Sequence, residues 1–273
     1  MNTLSSTIAE TKVSEGSVMV WWLGGNGFIF KTFAGTQVYI DPYLTNCVGA
    51  IFGLQRGFPA PVTATEARPD LVISTHWHED HLDPEGIPII ARHSNATFLG
   101  PPSCRSRLLG WMVPTDRVIS LRAGESHNFK DMKISGIPAR HDAGIPGWEV
   151  PDAIGVLIDF GGIVVYHAGD TEYDLRLRDM AFDPQIQIDV CMLPINGTGG
   201  NMNAYEAALL AWHLKAATVI PMHHELWKDF PGKERATLDP EVFASTYYKL
   251  GGSGKVKIFK VGEGFEFKRS NHD

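Results

Sequence analysis

Thr75-His76-Trp77-His78-Glu79-Asp80-His81 is the stretch on which the reading of this chain turns. It follows the apolar, strand-like run 71–74 and precedes a segment compatible with a helix. Four potential metal ligands, His76, His78, Asp80 and His81, fall within six residues. In an extended loop, residues two apart project to the same side, so His76 and His78 can share one ion. A following helical turn would swing Asp80 and His81 toward a second. A lone histidine is more often a hydrogen-bonded core residue or a surface group than a ligand. Three imidazoles beside two carboxylates at the end of a strand have no evident packing purpose, so metal binding is the preferred reading.

Outward from this loop, each further candidate follows a β-like run, where a mixed α/β sheet gathers its functional loops. His141 comes after the run 134–138, Asp170 lies in Tyr166-His167-Ala168-Gly169-Asp170-Thr171, and His223 follows Val219-Ile220-Pro221-Met222. Together these residues complete two coordination shells. His76, His78 and His141 are assigned to one ion, and Asp80, His81 and His223 to the other, with the carboxylate of Asp170 bridging. His224 competes with His223 for the ligand role or else faces the substrate. His167 is a decoy beside Asp170. Spacing alone decides neither case.

Strand-like runs recur at 18–23, 28–32, 38–40, 71–74, 118–121, 134–137, 154–160, 163–166, 190–193, 218–220, 256–260 and 265–267. Helical patterns separate several of them, most visibly at 204–215, where Ala207, Leu210, Ala211 and Leu214 recur at helical spacing. Strands interleaved with helices predict an α/β protein with helices packed outside mixed sheets. Gly25-Asn26-Gly27 between the first two runs is a hairpin signal, because such turns demand positive φ. The Gly- and Pro-rich segment 43–68 is longer than an ordinary connection and reads either as a lid or pocket wall or as an ordered surface loop.

The whole chain of 273 residues is of a size for a single domain, 1–273, with a full core. Its 44% hydrophobic and 20% charged residues are ordinary for a globular protein. With 24 basic against 31 acidic residues, the net charge of −7 repels phosphate backbones and disfavours nucleic acid as a partner. The polar first 17 residues lack a basic start followed by an apolar block. No run approaches the roughly 18 apolar residues of a membrane span, so a cytoplasmic protein without membrane contact is expected. Cys47, Cys104 and Cys191 are odd in number and far apart, which predicts buried thiols rather than disulfides or a thiolate metal site.

The run His76-Trp77-His78-Glu79-Asp80-His81 resembles the HxHxDH signature of the metallo-β-lactamase superfamily, and His141, Asp170 and His223 follow in that superfamily's order. The resemblance implies a four-layer αββα sandwich with the site at one edge of the two packed sheets. It also implies that Asp41, in Tyr39-Ile40-Asp41-Pro42, supports the metal loop from behind the ligands. Within the superfamily, three segments are similar to the L-ascorbate-6-phosphate lactonases: Trp21-Trp22-Leu23-Gly24, the stretch from Gly100-Pro101 through Cys104 to Gly110-Trp111-Met112-Val113-Pro114, and the stretch 219–227 ending in His223-His224-Glu225-Leu226-Trp227. Ala139-Arg140-His141 is nearer to the small metal-dependent hydrolases of the superfamily.

Two divalent ions about 3.5–4 Å apart lower the pKa of a shared water and stabilise an oxyanion. The expected reaction is therefore hydrolysis of a lactone or similar ester, with Asp80 ligating and also orienting the nucleophile or passing a proton. Nitrogen and oxygen ligands without thiolate suit zinc, manganese or iron; the resemblance points to manganese, then zinc. The expected partner is a small anionic substrate, and a homo-oligomer is compatible with the sequence. For the substrate, Arg140 is a phosphate candidate or a surface ion pair, and the loop Asn196-Gly197-Thr198-Gly199-Gly200-Asn201 is an anion-binding candidate or a plain turn. Trp77, Trp148 and Trp227 wall a pocket or serve packing. Two other functions stay open: a phosphodiesterase on cyclic nucleotides or other small phosphodiesters, and a metal-binding protein without turnover.

Overall fold

The tight turn at Gly25 joins the first two strands of a mixed sheet, one of two sheets among the described residues. The structure, a computed structural model, describes residues 3–180, 183, 186–228 and 236–268. The chain divides into two compact units. One comprises Met1–Leu121, Leu226–Phe230 and Lys260–Lys268, the other Arg122–Glu225, Pro231–Phe259 and Arg269–Asp273.

In the first unit, β1 (Ser17–Gly24) and β2 (Gly27–Thr32) pair antiparallel, with Gly24 opposite Gly27 and an irregular step after Trp22. Gly24 and Gly25 both take positive φ, and a Cβ on Gly24 would lie 2.1 Å from the Phe58 ring, so a larger residue is excluded twice over. The sheet runs β14 (Gly264–Lys268), β1, β2, β3 (Gln37–Ile40), β4 (Leu71–Ile73), β5 (Thr97–Gly100), β6 (Val118–Ser120). It is antiparallel from β14 to β3 and parallel from β3 to β6. Its helices are α1 (Leu4–Glu10), α2 (Cys47–Phe52), α3 (Gly86–His93) and α4 (Pro102–Gly110). Lys31 on β2 is buried, and its Nζ donates to the carbonyls of Ile8, Ala9 and Thr11 at 2.7, 2.9 and 2.8 Å. That cation closes the C-terminal end of α1, where carbonyls have no partner within the helix.

The second unit repeats the plan. Its sheet runs β13 (Lys255–Val256), β12 (Thr218–Met222), β11 (Val190–Pro194), β10 (Val164–His167), β9 (Ile154–Asp159), β8 (Met132–Pro138), β7 (Ser126–Phe129). It is parallel from β13 to β10 and antiparallel beyond. All five residues of β11 are buried, as a strand inside a parallel sheet requires, while β7 alternates exposed and half-buried as an edge strand does. Its helices are α5 (Leu175–Asp179), α6 (Ala204–Leu214) and α7 (Pro240–Lys249). α6 starts at a capping box, with Asn203 accepting from the backbone of Tyr205 and Glu206 while Glu206 accepts from the backbone of Asn203.

The α/β class is as expected. One strand is corrected: the run 256–260 pairs only as Lys255–Val256. Lys257 N still donates to Val219 O at 2.9 Å, after which the chain leaves the ladder and enters the first unit at Lys260. Segment 43–68 contains α2 and walls a cavity, described below. Cys47, Cys104 and Cys191 are buried free thiols, as expected. Burial raises the Cys47 thiol, with Asp83 nearby adding to it, and burial alone raises Cys191. No described helix is long and apolar enough to cross a membrane.

Candidate metal centre

In the first unit the histidine-rich loop leaves the C-terminal end of β4 and is bonded by Asp41, the residue that follows β3. Asp41 is fully buried at φ 44, a left-handed conformation that non-glycine residues adopt at a cost. Its carboxylate accepts from Thr75 N at 2.8 Å, Thr75 Oγ1 at 2.7 Å and His81 Nδ1 at 2.8 Å. With its hydroxyl hydrogen given to Asp41, Thr75 Oγ1 is an acceptor toward His76 Nδ1 at 3.2 Å. Both His76 and His81 are thereby held in the Nδ1–H tautomer, which makes Nε2 the lone-pair nitrogen.

His76 Nε2 lies 2.9 Å from His78 Nδ1, with the rings nearly perpendicular at 82°. Two nitrogens bound tetrahedrally at about 2.0–2.1 Å stand roughly 3.3 Å apart, so this pair is a few tenths of an ångström from sharing one ion. The His76 and His81 rings are 3.9 Å apart between centroids, and His81 Nε2 lies 3.6 Å from Asp80 Oδ2. His76, His78, Asp80 and His81 thus lie close together on one loop, and Asp41 bonds to His81.

In the second unit the ligand candidates follow the C-terminal ends of β8, β10 and β12. Asp170 Oδ2 is faced by His223 Nε2 at 3.4 Å and by His141 Nε2 at 3.8 Å. All three side chains are buried. His141 Nδ1 donates to Gly200 O at 3.1 Å, which again makes Nε2 the lone-pair nitrogen. Asn201 Nδ2 donates to the same Asp170 oxygen at 2.9 Å. His223 takes φ 61, so β12 ends in a sharp left-handed step that aims its ring at Asp170.

His223 is therefore a histidine that faces Asp170, at 3.4 Å. Burial, with His223 beside it, pushes the His224 imidazole down to about 4, so it is neutral at physiological pH. His167 accepts from Gly169 N at 3.2 Å and serves the turn that carries Asp170. Arg140 pairs with Glu172 at 3.0 Å with 68% of its side chain exposed, which is the surface ion pair. The loop from Asn196 to Asn201 is tied inward by Gly197 N to Met202 O, by Gly200 O to His141 and by Asn201 to Asp170. Asn196 itself is buried and bridges to Asn203.

Of the tryptophans, Trp227 packs on Tyr43 at 5.9 Å and Trp77 lies under the Arg107 guanidinium at 3.9 Å. Trp148 is half-buried in a turn closed by its N–H to Ile145 O.

Three supporting residues escaped the sequence reading. Thr75 relays Asp41 to His76, Gly200 fixes the His141 tautomer, and Asp83 accepts from Leu44 N, Thr45 N, Thr45 Oγ1 and Gly86 N at 2.8–3.0 Å. Only the adjacency of Thr75 to His76 was a signal available beforehand. The donor chemistry fits borderline divalent cations: imidazole nitrogens with fixed tautomers, carboxylate oxygens and no thiolate.

The family described as the Beta-lactamase superfamily domain matches residues 19–223. A curated relative named a probable L-ascorbate-6-phosphate lactonase, from Shigella boydii serotype 4, is 24% identical over 265 residues, covering 83% of this chain and 75% of the relative. Among solved structures, a metallo hydrolase of the hyperthermophilic archaeon Ignicoccus hospitalis is similar at TM-score 0.73 and 25% identity, over 92% of this chain and 99% of that one. A metallo-beta-lactamase fold protein of Bacillus subtilis is similar at TM-score 0.65 and 18% identity, over 93% and 100% of the two chains.

Proposed function

Since the chain belongs to the Beta-lactamase superfamily domain family and is a metal-dependent hydrolase of the metallo-β-lactamase superfamily, we propose that it opens a sugar-type lactone bearing an anionic group, similar to L-ascorbate 6-phosphate. The family match begins in the first unit and ends in the second, which supports reading 1–273 as one domain. The observation that carries the chemistry is the Asp170 carboxylate oxygen, faced at once by Nε2 of His141 and Nε2 of His223. A carboxylate so placed is suited to bridge two cations. We assign His76, His78 and His141 to one ion, Asp80, His81 and His223 to the other, and Asp170 to both; each residue presents one nitrogen or carboxylate oxygen. Similarity to the lactonase over 83% of the chain supports the substrate class.

Two divalent cations, manganese or zinc, would supply Lewis acidity to the ester carbonyl and a nucleophile at neutral pH. The remaining work falls to the chain. Asp80, half-buried beside His81, orients the attacking oxygen and accepts its proton. Asp41, Thr75 and Gly200 keep the imidazoles of His81, His76 and His141 in one tautomer, so these three need no rearrangement when ligand charge changes. Three buried thiols without a disulfide suit the cytoplasm.

The test is metal analysis of the purified protein followed by assay of the reconstituted enzyme on sugar lactones with and without phosphate, and on cyclic nucleotides. We expect two metal equivalents per chain, lactone opening, and a loss in Asp80→Ala of about 10²–10⁴-fold, the range of a general base. Phosphodiester cleavage without lactone opening would replace this reading with a phosphodiesterase. Inertness on every substrate of the metal-loaded protein would leave a metal-binding protein.

A further inference from the structure

With Arg140 taken by Glu172, the anionic end of the proposed substrate needs another partner, and the first unit contains one. A cavity of about 520 Å³ is lined there by Thr45, Asn46, Gln55, Arg56, Phe58 and Pro59, among others. Its charged wall is Arg56. The guanidinium lies between the Tyr43 and Phe58 rings, at 4.7 and 5.1 Å from their centroids. Nη1 donates to the carbonyls of Tyr43 and Thr45, and Nε to that of Phe58. Nη2 is enclosed and has no hydrogen-bond partner, and no carboxylate stands within ion-pair distance of Arg56 among the described residues.

Buried charges are ordinarily paired, because desolvation costs more than neutral hydrogen bonds return. Here burial lowers the arginine's pKa, a sign of lost solvation; the Asp83 carboxylate acts on it only through space, and the direct contacts of the guanidinium are carbonyl oxygens and ring faces. The cavity rim carries the amides of Asn46 and Gln55, which bond to each other at 2.6 Å, and no acidic side chain lines it. The wall is also tied to the ligand loop of the same unit. Cys47 Sγ donates to Glu79 O at 3.7 Å, and Asp83, two residues after His81, accepts from Leu44 and Thr45. A group seated against Arg56 is thus registered to the loop that carries His76 through His81.

We propose that this cavity is an anion subsite in which Arg56 binds the phosphate or carboxylate group of the substrate distal to the reacting ester. An incoming anionic oxygen supplies the acceptor that Nη2 lacks, and the exposed Asn46 and Gln55 amides part to admit it. The subsite deepens the lactonase reading and rests on it for the identity of the substrate. It does not rest on it for the binding of an anion.

Two measurements keep these apart. The first titrates inorganic phosphate into the metal-loaded protein and reads the thermal midpoint, for wild type, Arg56→Met and Gln55→Glu. The glutamate keeps the acceptor for Asn46 Nδ2 while placing a negative charge on the rim. The second compares KM and kcat on lactones bearing phosphate, carboxylate or neither. Wild type is expected to gain several degrees with phosphate, and both variants to lose at least half of that gain. In the second measurement, KM for the charged lactones rises tenfold or more, with kcat and the neutral lactone within twofold. The phosphate and carboxylate arms identify which oxyanion the site takes. If Arg56→Met unfolds, Gln55→Glu alone decides. A phosphate response equal in wild type and Gln55→Glu, or a KM change equal for charged and neutral lactones, overturns the subsite. If no lactone is opened while the phosphate response behaves as expected, the substrate reading fails and the subsite stands.

Discussion

Replacing Asp41 by Asn tests how far the metal loop depends on its buried support. One Asp41 oxygen accepts the Thr75 backbone N–H at 2.8 Å, and the other accepts both the Thr75 hydroxyl at 2.7 Å and His81 Nδ1 at 2.8 Å. Asparagine keeps one oxygen for the backbone and places an NH₂ group where the doubly loaded oxygen was. That donor faces the His81 Nδ1–H, so the ring is driven to the Nε2–H tautomer and its ligand nitrogen is masked. Loss of an orienting partner of this kind costs about 10–100-fold in metal affinity, or roughly 1.4–2.7 kcal/mol. Two bonds to a charged acceptor are also lost, at about 1.5–3 kcal/mol each before relaxation, while the fold and its φ 44 are tolerated by Asn. At about 2–4 °C per kcal/mol, a combined loss of about 3–6 kcal/mol should lower the melting point of the metal-free protein by roughly 6–24 °C. Chelator competition gives the metal Kd, and Asp70→Asn is the control: Asp70 accepts Gln37 N at 2.8 Å but belongs to no ligand loop, so it should cost stability without metal affinity. An Asp41→Asn protein that binds metal within twofold of wild type would refute the tautomer argument.

Gly200→Ala should lower the melting point by at least about 2 °C and weaken metal binding together, because Gly200 sits at φ 79 and a Cβ would lie 2.4 Å from Asp142 O. Paired melting and chelator titration check this. Lys31→Met should leave three carbonyls at the end of α1 without their donor, costing about 1–3 kcal/mol and exposing the first helix to limited proteolysis before the rest melts. Metal removal should destabilise the protein by about 4 kcal/mol if the ions are present at a thousand times their Kd, read as the fall in melting temperature after chelation. Cys47, Cys104 and Cys191 should resist a thiol reagent at pH 8 in the native state and react only in denaturant, since all three are buried.

The parts of this molecule legible in sequence were those whose cause is local. Four ligand candidates in His76 to His81 announce themselves by spacing, the Gly25 turn by its residue types, and α6 by a periodicity that runs to Leu214. β5 and β7 were missed because one is short and the other is a half-exposed edge without an apolar pattern. The choice between His223 and His224 was hidden because it depends on the backbone φ of 61 at His223, which neighbouring sequence does not encode. For Arg140 the phosphate and ion-pair readings stood level because Glu172, its partner, lies 32 residues away in the chain. The loop that holds Gly200 and Asn201 was read as a plain turn or an anion site, and neither reading foresaw bonds to His141 and Asp170. Long-range hydrogen bonding leaves no trace in composition or period.

In the second sheet, β8, β10, β11 and β12 all run in one direction, so His141, Asp170 and His223 leave from one rim. The opposite rim holds the turn at Lys130 and the turn at Gly161, where an added Cβ meets nothing within 4 Å. Chemistry and architecture are thereby segregated along the strand axis. A tag or a few inserted residues beside Gly161, with that glycine kept for its φ of 77, can be accommodated without disturbing the opposite end, which makes that turn the natural handle for immobilising the protein.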